Sequence, residues 1–404
     1  MIDFTLSDTQ QQLLGTARDF GKEVLGPAEI ALDKLADPQA VFEDERYWDA
    51  LKQSFELGFH KMTINEHFGG LGLDASTTGL VWEELGRWAP GFAASLIAGA
   101  AVPAIVGFLA GHNETLVEQF VTPYVEDTTG KGLTAWGSSE PNIGSDGKNY
   151  HDPDVHHSTR AELKDGRYLL SGTKSNFVSN GGIARAYLMF ACMQPELGIC
   201  GSGAFLVPAD APGVEPSKAV DRLGMRVLNQ APVFMDGVEL PEENMIFPSG
   251  EGFPFLHNSI ITVGNLGTGY LALGLMRAAY EEAMEYARER VQWGKPIVEH
   301  QLVARKLFEI HAAIESCRAL LWKGSWYSTN QFPGDLKTSL TAKIWTSELA
   351  CKHTAEMVQV LGGYGLTRDY NLEKYMRDAQ MLKVMDGTND TLMLKAAGLL
   401  AESA

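Results

Sequence analysis

The sequence predicts an α+β protein in which two helical regions flank a central sheet. Two observations carry this expectation. Apolar residues near both ends recur at helical spacing, and the middle of the chain holds short strand-like runs around a tight Asp-Gly turn.

The helical evidence is clearest toward the C-terminus. Val303, Leu307, Ile310, Ile314, Cys317 and Leu321 form one apolar stripe along a helix, and Leu273, Met276, Tyr280, Ala283 and Ala287 form another on the helix before it. Near the N-terminus, Ser7-Asp8 is a capping signal ahead of Leu13, Leu14, Ala17 and Phe20. Gly69-Gly70-Leu71-Gly72 reads as a turn. Residues 76–122 alternate apolar runs with Gly and Pro breaks, and the stretch from Phe92 to Ala110, interrupted by Gly99, Pro103 and Gly107, is expected as a buried helix pair. In the middle, Asp165-Gly166 supplies the positive φ angles of a hairpin turn between residues 160–163 and 167–171. Runs at 187–192, 204–208 and 232–240 add strands. The boundaries fall at 1–130, 131–245 and 246–404.

Composition narrows the function. A formal net charge of −18 repels phosphate backbones and anionic lipid, so neither nucleic acid nor membrane is expected as a partner. Four scattered cysteines without a C-x-x-C point to reduced thiols and a cytoplasmic location. The start Met1-Ile2-Asp3-Phe4 has neither a basic nor an apolar leader segment, so no targeting peptide is expected. His156-His157 reads as a loop pair, with no metal-ligand spacing nearby. Gly362-Gly363-Tyr364-Gly365 follows no strand, which fits a helix-ending turn better than a dinucleotide fingerprint.

Several motifs occur in a fixed order: Ser139-Glu-Pro-Asn-Ile-Gly-Ser-Asp146, Gly172-Thr-Lys174 leading to Phe177-Val-Ser-Asn180, Arg290-Val-Gln-Trp-Gly294, Glu299-His-Gln301, Gln359-Val-Leu-Gly-Gly-Tyr-Gly365 and Asp386-Gly-Thr388. With Glu66–Leu73, Leu223–Arg226 and Val238–Asn244, they cover essentially the whole chain, which resembles the acyl-CoA dehydrogenase flavoproteins. The resemblance implies an N-terminal helical domain, a central β-barrel domain, a C-terminal four-helix bundle, and FAD in a homotetramer. Trp136, Ser138 and Ser139 would line the flavin, and Ser145 would meet the pyrophosphate. Phe177 would cover one ring face, with Ser179 near N5. Arg290, Gln292, Trp293, Gln359 and Gly363 would reach a neighbouring subunit's FAD. Thr388 and Asp390 would lie near the adenosine-side phosphates of FAD, and Gln301 near the ribose.

The implied reaction is α,β-desaturation of an acyl-CoA thioester, with electrons passing on to an electron-transferring flavoprotein. A carboxylate removes the α-proton, and that proton is too weakly acidic for a free carboxylate. The site must therefore exclude water and place donors on the thioester carbonyl. The resemblance puts Asp386 at the base position and makes its N–H one of those donors, with Ser145, Asn265 and Gly387 also against substrate. Asp replaces the family's usual Glu and is shorter by about 1.5 Å, which suggests a branched or alicyclic acyl group that approaches closely. Gly264 and Asn265 stand where relatives carry Glu or Arg. Aspartate at this position also leaves open a nitroalkane-oxidase-like flavin oxidase or monooxygenase, although Met393 stands where that enzyme has arginine. Segment 172–182 carries one residue more than the usual pattern, with Phe177 in place of a common Trp. The segment Ala93–Val102, expected to line the acyl pocket, has no cation to pair with a second carboxylate.

Overall fold

In the computed structural model, which describes residues 5–148 and 150–402, Ser7 opens the first helix through a reciprocal capping box with Gln10. The N-terminal helices are α1 (Asp8–Phe20), α2 (Gly26–Asp33), α3 (Ala40–Glu43), α4 (Glu45–Glu56), α5 (Ala75–Trp88), α6 (Pro90–Leu109), α7 (Glu114–Leu116) and α8 (Thr122–Val125). The expected helix pair over 92–110 is the single helix α6. Pro103 lies inside it, so the proline removes one backbone donor without ending the helix.

The middle region holds β1 (Thr134–Gly137), β2 (Arg160–Lys164), β3 (Arg167–Ser179), β4 (Ala186–Cys192), β5 (Ser202–Pro208), β6 (Val214–Pro216), β7 (Gln230–Pro241) and β8 (Met245–Phe247). Asp165 and Gly166, with φ of 50° and 76°, turn β2 into β3 as their sequence requires. The expected barrel is not closed. Hydrogen bonding runs β6-β7-β3-β2-β4-β5-β8, with β1 parallel to β4 beside this path, so the sheet is mixed and open. A barrel needs its terminal strands paired. Here β6 and β8 are three residues each, and β2 meets β4 at one residue pair, Arg160 with Cys192.

The C-terminal region is built from α9 (Phe253–Glu289), α10 (Gln301–Asn330), α11 (Leu336–Leu361), α12 (Leu372–Val384) and α13 (Asn389–Glu402). The predicted stripes face inward: Leu273, Met276, Ala283 and Ala287 on α9 are buried, as are Leu307, Ile310, Ile314, Cys317 and Leu321 on α10. By length and composition α6 and α9 could each cross a membrane, but α9 is mostly buried against α5, α10 and α11.

A buried ionic cluster fixes α12, the helix that leads into the candidate site. Lys374 donates to Glu29 (3.0 Å) and Asp378 (2.5 Å). Glu29 also caps α6 by accepting the N–H groups of Gly91 and Phe92, and Asp378 accepts the N–H of Met225. One ammonium thus joins α2, α6, α12 and the loop before β7, and it neutralises two carboxylates that are shut off from water.

Candidate active site

Between α12 and α13 the chain makes a tight turn. Met385 closes α12 with its N–H on Met381 O, and Asp386 and Gly387 then take φ of 59° and 109°. A left-handed aspartate is tolerable but unusual, and it aims the carboxylate back toward α9. Lys343 of α11, fully buried, holds the turn from beneath, donating to Lys383 O (3.2 Å), Gly387 O (2.8 Å) and Asn389 Oδ1 (2.8 Å). On the far side Thr388 N–H donates to Ser145 Oγ (3.0 Å), which pins the turn to the segment after β1.

The Asp386 carboxylate rests on α9. Asn265 Nδ2 donates to its Oδ2 (3.2 Å) and approaches its backbone oxygen (3.4 Å). A Cβ on Gly264 would lie 2.4 Å from the same Oδ2, so only glycine leaves room for the carboxylate there. Burial pushes the Asp386 carboxyl above the usual carboxylate range, while the Lys148 and Lys343 ammonium groups pull it back. Such a group is a stronger base than a free carboxylate. Among the described residues the Asp386 N–H and the buried Asn265 Oδ1 have no hydrogen-bond partner, so a donor and an acceptor beside the base are available to a ligand.

Ser145, Asn265, Asp386, Gly387 and Thr388 therefore meet in one place, while Asp390 at the start of α13 is exposed. Asn265 contacts the base itself. Two cations near the base, Lys148 and Lys343, went unnoticed in the sequence. Lys343 had one signal, a lone charge among Leu340, Ala342 and Ile344. Lys148 had none. The apolar segment of α6 lies beside α9, where a Cβ on Gly267 would stand 3.6 Å from Ile97. That segment has no cation, but Lys148, from a different element, lies against Gly387 beside the base.

The sheet supplies a second group. Trp136 on β1 is half-buried, edge-on to Phe190. Ser138 and Ser139 follow, and Ser139 O accepts the Ser175 N–H (2.9 Å). Segment 172–182 contains a bulge: Lys174 pairs with Val233 and Val178 with Ala231, so residues 175–177 stand opposite the single residue Pro232 and lie outside the ladder. Phe177 sits on that bulge, 63% exposed rather than in the core, and Ser179 Oγ accepts from Gln230 Nε2 (3.2 Å).

A third group lies elsewhere. Arg290, Gln292, Gln359 and Gly363 line a cavity of about 470 Å³ with Tyr286 and Tyr364, at the far ends of α9 and α11. The Gly362 to Gly365 run ends α11 as expected, with Gly362 at φ 60°. Arg290 lies 5.8 Å from the Tyr364 ring centre. Trp293, expected on packing grounds alone to be a core residue, is 95% exposed in the turn between β9 (Val291–Gln292) and β10 (Lys295–Pro296), and Gln301 is exposed at the start of α10. At 1.5 Å per residue, Gln359 is about 24 Å from Lys343 along α11, and Arg290 about 37 Å from Asn265 along α9. This cavity is thus remote from the Asp386 cleft of the same chain. The unpaired donor and acceptor at Asp386 and the exposed ring of Phe177 fit a flavin cofactor.

Three family models match in sequence: acyl-CoA dehydrogenase N-terminal domain over residues 7–123, middle domain over 135–238 and C-terminal domain over 250–398. The chain is 31% identical to the short-chain specific acyl-CoA dehydrogenase of Megasphaera elsdenii over 99% of its own length and all of that protein. The solved butyryl-CoA dehydrogenase of the same organism superposes with a TM-score of 0.87 at 30% identity, covering 99% and 100% of the two chains. A chain described under the electron transferring flavoprotein of Acidaminococcus fermentans also matches at 0.87, with 28% identity and 99% coverage of each chain.

Proposed function

Because the chain belongs to the acyl-CoA dehydrogenase family, we propose that Asp386 is the base with which it removes the α-proton of a bound acyl-CoA. The enzyme is a flavin-dependent oxidoreductase, and bound FAD supplies the acceptor for the β-hydride. The observation that carries the base assignment is the Asp386 carboxylate itself, desolvated, held by Asn265, and seated in space that Gly264 leaves open. The unpaired Asp386 N–H is the donor for the thioester oxygen, where charge develops as the proton leaves.

Phe177, Trp136, Ser138, Ser139 and Ser179 would hold the ring, and Ser145, Thr388 and Asp390 the phosphate side. Arg290, Gln292, Trp293, Gln301, Gln359 and Gly363 would serve a neighbouring chain's FAD, which requires at least two chains; the homotetramer is the assembly that the family resemblance implies. The substrate is a compact, branched or alicyclic acyl-CoA: a base about 1.5 Å shorter than glutamate needs its α-carbon close to α9. Electrons leave to an electron-transferring flavoprotein, and the unpaired cysteines support a cytoplasmic location.

The test is anaerobic flavin bleaching by linear, branched and alicyclic CoA esters. Bleaching is expected with the branched or alicyclic esters, and Asp386→Asn should keep its FAD yet lose turnover by about four orders of magnitude. Full activity in Asp386→Asn rejects the base. Rapid peroxide formation from nitroalkanes, without bleaching by any thioester, rejects the dehydrogenase reading.

A further inference from the structure

Two lysines approach the turn that carries Asp386, and they are used differently. Lys343 spends its three donors on Lys383 O, Gly387 O and Asn389 Oδ1, so it is a strut under the turn. Lys148 lies along the turn's other face. Its Cε is 2.8 Å from where a Gly387 Cβ would stand, so the side chain is laid directly on the backbone next to the base. Its ammonium has no hydrogen-bond or ion-pair partner among the described residues, and it is not within 4.0 Å of the Asp386 carboxylate. Lys148 is half-buried, so its ammonium gives up part of its hydration without gaining a direct partner, an arrangement that favours an opposite charge nearby.

Two carboxylates act on the Lys148 ammonium, Asp386 most strongly and Asp146 after it. The elements packed around Asp386 present Gly264 and the neutral Asn265 from α9, Lys343 from α11, and Lys148 with Asp146 from the turn after β1. Lys395 of α13 stands behind Lys148, with its Nζ 3.5 Å from Lys148 O and 4.1 Å over the Tyr150 ring. Tyr150 in turn bonds His257 Nδ1 and Asn258 Oδ1, each at 3.0 Å, and burial keeps His257 neutral. In a chain of net charge −18, two lysines, Lys148 and Lys343, act on one half-buried carboxylate.

We propose that Lys148 acts through Asp386: its ammonium is the electrostatic partner that keeps this short, desolvated carboxylate ionised and ready to accept a proton at neutral pH. The Coulombic pull between the two groups is consistent with this, since Asp386 opposes the burial of Lys148 and Lys148 opposes the burial of Asp386. The contact is one of field, without a bond, so Lys148 takes up neither carboxylate oxygen and leaves the one not bonded to Asn265 open to a substrate α-carbon. The sign of the effect follows. Without Lys148 the charged form of Asp386 loses support, its pKa climbs further, and the base is protonated over a wider range of acid pH.

The inference rests on Asp386 as the base, and the experiment separates the two. Holoenzyme labelled with ¹³C-aspartate is titrated by infrared difference spectroscopy, with Asp386→Asn as the blank, in wild type, Lys148→Met, Lys148→Gln and Lys148→Arg; no substrate is required. The Asp386 carboxyl is expected to titrate about one pH unit or more higher in the Met and Gln variants and near the wild-type position in Arg. The acidic limb of kcat/KM, measured with whichever thioester bleaches the wild type, should move by the same amount. FAD affinity should change less than about threefold. An unmoved titration in Lys148→Gln overturns the proposal even if Lys148→Met fails to fold. So does a tenfold loss of FAD affinity with an unmoved titration, which would make Lys148 a cofactor contact. A moved titration without any thioester bleaching leaves the Lys148 pairing standing and removes the function assigned to the base.

Discussion

Replacing Gly264 with alanine isolates the geometry of the base from the stability of the fold. The new Cβ would stand 2.4 Å from Asp386 Oδ2, 3.1 Å from Cγ and 3.2 Å from Oδ1, whereas ordinary contact begins at 3.4 Å. The carboxylate must retreat by about 1 Å, and a displacement of that size in a reacting group costs on the order of 10²-fold in rate. The retreat also stretches the 3.2 Å bond from Asn265. The helix itself should gain, because alanine in a helix interior is favoured over glycine by about 1 kcal/mol. Gly264→Ala should therefore lose about a hundredfold in kcat while its Tm holds or rises and its flavin remains bound. Stopped-flow bleaching with the best thioester and a thermal melt read the two effects separately. A kcat within about threefold of wild type would show that the carboxylate does not work from its place on α9, and the argument from its position would fail.

Two further predictions concern the frame and the assembly. Lys374→Met leaves Glu29 and Asp378 buried and facing each other without their shared cation, so urea denaturation should show a loss of about 3–5 kcal/mol; restoring stability by adding Glu29→Gln and Asp378→Asn would confirm that the stranded charges cause it. Because Arg290 lies about 37 Å along α9 from the Asp386 cleft of the same chain, co-expressed Asp386→Asn and Arg290→Ala chains should complement: mixed assemblies contain some sites with both native residues and should regain activity that neither variant shows alone, whereas no recovery in purified hetero-oligomers would mean that each chain completes its own site.

How far the sequence revealed the fold depended on how local each cause was. The hairpin at Asp165-Gly166 and the capping box at Ser7 are set by two to four adjacent residues, and both form as their chemistry dictates. Pro103 misled because a break is a local tendency, and α6 is held by burial along Phe92, Leu96, Val102 and Val106. The closed barrel failed for a nonlocal reason: closure depends on whether the first and last strands meet, and no single strand's alternation encodes that. The same division runs through the site. Asp386, Ser145 and Thr388 were recognised from motif order, and the fold brings them together. Lys148 and Lys343 are far apart in sequence and lie in no motif that marks a charge, yet they set the field in which Asp386 must work. A motif fixes which groups react, because the reaction demands those atoms. The charges that tune them can come from any element within reach, so only three-dimensional placement identifies them, and a base one carbon shorter than usual makes that placement matter more.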